Sequence, residues 1–149
     1  MNKLKLNQKV TIGNNFYKVI GIDHYRLNNL FGETKKWDSY TLIDEDNNKT
    51  WISYGAVKDY YLQWTLISET EFKKGIMAPP QLELTGIADV TFEGNPGFST
   101  PTAELVWFNL KEQNYDYFVY ERFLEQAGNR IEPLESYYDA GKILKDFKI

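Results

Sequence analysis

Five short runs in which aromatic or branched apolar residues alternate with polar ones constrain this chain more than any other feature. They are Phe16–Ile22, Trp37–Leu42, Thr50–Tyr54, Tyr60–Trp64 and Tyr115–Phe123. Neighbouring side chains on a strand point to opposite faces, so such runs read as β-strands with one buried side. Aromatic residues make up 16% of the 149-residue chain, so rings decide how a core here is filled. A chain of this length forms one ordinary domain or two small halves sharing a core.

Lys9–Ile12 reads as a strand that Gly13-Asn14-Asn15 turns into a second one, Phe16 to Leu27. Gly21 inside that second strand predicts a bulge, after which the facing of the side chains changes. Trp37–Ile43 and Thr50–Tyr54 pair across the acidic turn Asp44–Lys49. In Asp59–Ile67 one face carries Tyr60, Leu62, Trp64 and Leu66. The first half, 1–68, is thus a five-stranded antiparallel meander. Ser68–Gln81, with Pro79-Pro80, is the junction, and Glu69–Phe72 form one helical turn within it. In the second half, 82–149, Leu82, Leu84, Ala88, Val90 and Phe92 share an apolar face. Gly94–Gly97 and Ala127–Arg130 read as turns around the strands Thr102–Leu110 and Tyr115–Leu124, and Pro133 limits Ile131–Tyr138 to an edge or a loop. Asp139 as an N-cap, with Ile143, Leu144 and Phe147 at helical spacing, predicts a short C-terminal helix. The expected fold is all-β: an antiparallel meander forming two packed sheets or two small barrel-like halves, closed by that helix. The halves also echo each other, Tyr40-x-Leu42 and Ile52-Ser53-Tyr54 against Tyr117-x-Val119 and Ser136-Tyr137.

The net charge of −4 offers no basic face to a phosphate backbone, so nucleic acid is not an expected partner. Lys3, Lys5 and Lys9, and the pair Lys35-Lys36, read as solvated lysines. The absence of cysteine excludes disulfides, thiolate chemistry and cysteine-ligated zinc. The charged start Met1–Asn7 does not match a signal peptide, and no apolar run approaches the roughly 20 residues of a membrane span. A soluble, cytoplasmic protein without membrane insertion is expected.

One set of residues looks like a family signature. It comprises Gly13-x-x-x-Tyr17-x-Val19-Ile20-Gly21, Trp37-x-x-Tyr40-x-Leu42 and, after the polar turn, Trp51-Ile52-Ser53. Tyr117-x-x-Tyr120-Glu121 and Tyr137-Tyr138-Asp139-x-Gly141 follow in the second half. Together these resemble the bacterial domain of unknown function numbered four-one-seven-eight. The resemblance spans most of the chain and implies an accessory or binding role, with no catalytic set to carry over.

His24 is the only histidine, so it cannot form a two-histidine metal site. A Ser-His-Asp triad would have to use it, and the adjacent Asp23 points to the other face of the strand. Ser39 and Ser53 lie in no Gly-x-Ser-x-Gly turn. Asp44, Glu45 and Asp46 hint at a calcium loop but lack its glycine and closing glutamate. Glu121 sits among Tyr117, Val119 and Phe123, where burial would raise its pKa; the plainer expectation is an ion pair with Arg122, Arg130 or a neighbouring lysine. The remaining resource is aromatic. Trp37, Tyr40, Trp51, Tyr54, Tyr61, Trp64 and Trp107 suit a groove that stacks a base, sugar, proline-rich peptide or amine. The strand Tyr115–Leu124 is apolar on both faces, so it is central between two layers or covered by another chain.

Three functions follow from these residues. The first is a non-enzymatic binding or adaptor domain presenting Trp37, Tyr40, Trp51, Tyr54, Trp107, Tyr117, Tyr120 and Glu121 to a protein partner or to a second copy. The second is a small-ligand binder with an aromatic groove between the halves. The third is an enzyme built on a buried carboxylate. No cofactor or metal is expected.

Overall fold

The computed structural model describes residues 3–28, 34–77, 80–95, 101–110, 114–127 and 130–149. The expected turns at Pro96-Gly97 and Gly128-Asn129, the loop residue Gly32, and Pro79 lie outside them. The chain runs β1 (Lys9–Ile12), β2 (Asn15–Asn28), β3 (Thr34–Ile43), β4 (Lys49–Tyr54), β5 (Tyr61–Leu66), α1 (Glu69–Met77), β6 (Gln81–Gly94), β7 (Thr102–Asn109), β8 (Tyr117–Ala127), β9 (Arg130–Ile143) and β10 (Phe147–Lys148).

Strands β2–β5 form one antiparallel meander and β6–β9 another. β2 pairs with β6 and β5 with β9, so the meanders close edge to edge into one eight-stranded antiparallel barrel. Closure leaves no bare edge between the halves. They share a single interior instead of forming two packed sheets or two barrel-like halves. This order equates β3 with β7 and β4 with β8. The sequence echo instead sets β3 and β4 against β8 and β9, so it does not follow the topology. β1 and β10 extend the sheet outward from the first part of β2.

A register shift between Val19 and Gly21 marks the bulge in β2. It puts Val19 and Ile22, three residues apart, in the same outer cluster, and leaves Asp23, Tyr25 and Leu27 facing inward. The outer cluster gathers Leu4, Val10, Ile12, Tyr40, Leu42, Ile52 and Tyr61 beneath the flank formed by β1 and β10. The inner cluster contains Tyr25, Leu27, Trp37, Leu62, Leu105, Trp107, Tyr117, Val119 and Phe123.

α1 is longer than the single turn expected. The run Ser68-Glu69-Thr70-Glu71 has the form of a capping box, and the Glu71 amide donates to Ser68 Oγ at 3.1 Å. Lys73 pairs with Glu69 one turn away, at 2.8 Å. The helix lies on the outside of the barrel, where Phe72 meets Phe108, Phe118 and Tyr138. Gly75 makes the close approach possible, since a Cβ there would stand 2.1 Å from the Phe118 ring. The second apolar face of β8 is therefore covered at Phe118 by the chain's own helix.

No helix forms at the C-terminus. Asp139–Ile143 pair with β5 on one side, and Gly141 and Ala140 with β8 on the other. Ile143 joins the inner cluster while Leu144 and Phe147 join the outer one, so their helical spacing is that of a strand followed by a turn. Upstream, β9 has β8 as its partner through Pro133, with a register shift beside it, which is how an edge accommodates proline. The expected apolar face of β6 is buried only at Ala88 and Val90; Leu82 and Phe92 are more than half exposed. A register shift between Leu82 and Leu84 breaks the alternation, and Phe92 lies beyond Asp89, the last β6 residue paired with β7. Among the described residues no helix is long and apolar enough to cross a membrane.

Candidate ligand-binding cavity

Small eight-stranded barrels have an interior that side chains just fill or that holds one small ligand. This barrel encloses a cavity of about 330 Å³. All four tryptophans of the chain line it: Trp37 from β3, Trp51 from β4, Trp64 from β5 and Trp107 from β7. Tyr25 and Asp23 come from β2, Val119, Glu121 and Phe123 from β8, and Tyr137 and Asp139 from β9. Both meanders thus build the wall. Trp51 and Leu66 line it while remaining 38% and 57% exposed, which places them where the cavity meets solvent.

The rings form a continuous series. Tyr25 stacks on Trp37 at 5.0 Å with planes 4° apart. Trp107 meets the edges of both Trp37 (6.0 Å) and Trp64 (4.9 Å). These offset and edge-on arrangements suit the ring quadrupoles and hold the wall in shape. Trp64 donates from Nε1 to Ser53 Oγ at 2.8 Å. Gly141, opposite it on β9, leaves the room its ring occupies, because a Cβ there would lie 2.4 Å from the indole. The indole N–H of Trp107 is buried without a hydrogen-bond partner among the described residues.

Three carboxylic acids stand in this aromatic wall. Tyr25 donates to Glu121 Oε1 at 2.7 Å. Burial pushes the Glu121 carboxyl up to about 8; the Tyr25 hydrogen bond opposes the rise, and Asp139 and Asp23 add to it. Burial alone raises Asp139 to about 7. Burial, with the Glu121 and Asp23 charges, also holds the Tyr25 phenol well above its ordinary value. Among the described residues no Lys, Arg or His lines the cavity, and no three acidic or histidine side chains are grouped to hold a metal ion.

The sequence candidates divide accordingly. Trp37, Trp51, Trp107 and Glu121 meet in the cavity, and Tyr117 is buried against Trp107 at 6.2 Å. Tyr40, fully buried, and Tyr54 belong to the outer cluster, and Tyr120 lies outside beside Tyr138 and Ser136. Glu121 does not pair with Arg122, which points the other way and bonds Glu104. Sequence reasoning missed Asp23 and Asp139 as cavity residues. Asp23 had been weighed only as a partner for His24, and Asp139 as a helix cap. On the outer face His24 bonds Asp38 and Glu93, each at 2.6 Å, and no serine. Asp44 accepts from the amides of Asp46 and Asn48, so its carboxylate serves its own turn.

No protein-family model, curated protein or solved structure matches this chain.

Proposed function

We propose that this protein binds a small organic ligand inside the barrel, without chemistry upon it. The observation that carries this reading is the cavity of about 330 Å³, walled by every tryptophan of the chain and open beside Trp51 and Leu66. Ligand pockets begin at roughly this volume and combine an apolar, aromatic lining with a few placed polar groups. A surface for a protein partner is less well supported, because Trp37, Tyr40, Trp107 and Tyr117 are each buried. The family resemblance extends the same reading: Trp37 and Trp51, two residues of that signature, are cavity residues, so membership would put a binding site at its core.

The test is uptake of 1-aminoanthracene, an uncharged dye that brightens in apolar surroundings. One saturable site per chain is expected. Ser39 lines the cavity, and Ser39→Phe fills space without removing a ring, so it should weaken uptake at least about tenfold while near-ultraviolet circular dichroism stays native. Absence of saturable uptake, or uptake indifferent to Ser39→Phe, overturns the proposal.

A further inference from the structure

Resting on that reading of the cavity, we infer that its ligand is an organic cation. The charge follows from the wall. Glu121 and Asp139 face the enclosure from adjacent strands, with Asp23 across from them on β2, and the lining described contains no basic side chain. Tryptophan and tyrosine faces attract cations by their quadrupoles, most strongly where water is excluded. Among the described residues no acidic cluster fits a metal ion, which leaves the cage to a cation with an apolar body.

The empty site keeps its acids by holding protons, since burial raises both Glu121 and Asp139. The titratable groups facing Glu121 are Tyr25 and Asp23 from β2 and Tyr137 and Asp139 from β9; β7 presents Leu105. A cation replaces those protons. Its binding therefore releases protons and strengthens as pH rises through about 7 to 8.

Two probes of similar shape test this by calorimetry on the intact chain. Acetylcholine carries a permanent charge, and 3,3-dimethylbutyl acetate is its neutral counterpart. At about pH 8.5 acetylcholine should bind about tenfold or more tighter than the neutral ester. Its affinity should rise about tenfold from pH 6, with proton release, and Glu121→Gln should remove most of that rise. The probe comparison stands on the native chain whether or not the variant folds. If the neutral ester binds as well as acetylcholine, or acetylcholine affinity does not rise with pH, the ligand is not a cation. The cavity reading survives that result, because 1-aminoanthracene uptake tests it separately. If neither acetylcholine nor the dye enters, both readings fall together.

Discussion

Two groups of aromatic rings in this molecule are put to opposite uses. Beneath α1, Phe72, Phe108, Phe118 and Tyr138 close on one another, and Gly75 gives up its side chain so that the helix can settle on Phe118. Inside the barrel, Tyr25, Trp37, Trp64 and Trp107 are also joined by ring contacts, yet beside them and Trp51 a space of about 330 Å³ remains, with carboxylic acids in its wall. The first group holds no carboxylic acid among its rings, and the approach at Gly75 leaves no space even for a Cβ. The second has both acids and space. Ring content does not separate a structural cluster from a binding one; unfilled volume and acids in the wall do.

The sharpest way to break the comparison is to remove a ring from the closed group. Phe72→Ala leaves a hole that the helix cannot refill, and the loss expected is about 3–5 kcal/mol in urea unfolding. Adding a ring to the open group should do little. Ser39→Phe enters existing space and should shift stability by less than about 1 kcal/mol, whereas overpacking a filled core costs about 1–3. A large loss from Ser39→Phe would mean that the cavity does not exist in solution.

Next in size is the charge inside. The Glu121 carboxyl rises from 4.5 to about 8 on folding. The native state therefore holds a proton that the unfolded chain releases, so stability falls as pH rises from about 4.5 to 8 and is unaffected below that window. Glu121→Gln keeps an acceptor for Tyr25 and cannot ionise. It should be more stable than the parent by about 2–3 kcal/mol near pH 8.5 and equal to it near pH 4. Equal stability at both pH values would show that Glu121 is solvated, and with it the opposition of the two ring groups would weaken.

How much of this was legible in the sequence depended on distance along the chain. Local signals could be read: the turn at Gly13, the bulge at Gly21, the hairpin around Asp44 and the two-sided apolar strand β8. The closure could not, because the pairings β2–β6 and β5–β9 join residues far apart, such as Tyr25 with Val90 and Trp64 with Gly141. Without closure there is no interior, so Trp37, Trp51 and Trp107 read as rings for a partner surface or for a groove between the halves, and Asp139 as a helix cap. A glycine at position 141 is a poor helix residue. Its reason is visible only once Trp64 lies across it. Glu121 was seen to stand in an apolar wall, but its partner Tyr25 is 96 residues away, out of reach of any local pattern.

The smallest effect concerns carboxylates on the outside, which do have countercharges. On β2, Asp23 faces the cavity and its neighbour His24 faces out, joining Asp38 on β3 to Glu93 on β6. Burial pulls the imidazolium down, but the bonds and charges of Glu93 and Asp38 outweigh it and raise its pKa above 6.5. A raised basic group stabilises the fold fully below the unfolded value and loses that contribution as pH climbs through the folded one. His24 is partly exposed, so the pairs are screened and worth about 0.5–1 kcal/mol together. His24→Gln should cost that much near pH 6 and almost nothing near pH 9. The inner acid has the opposite sign under substitution: His24→Gln loses stability at low pH, Glu121→Gln gains it at high pH, and both gain on the parent as pH rises. If His24→Gln were as stable as the parent near pH 6, or Glu121→Gln less stable than it near pH 8.5, the distinction between ion-paired acids outside and proton-holding acids inside would be lost.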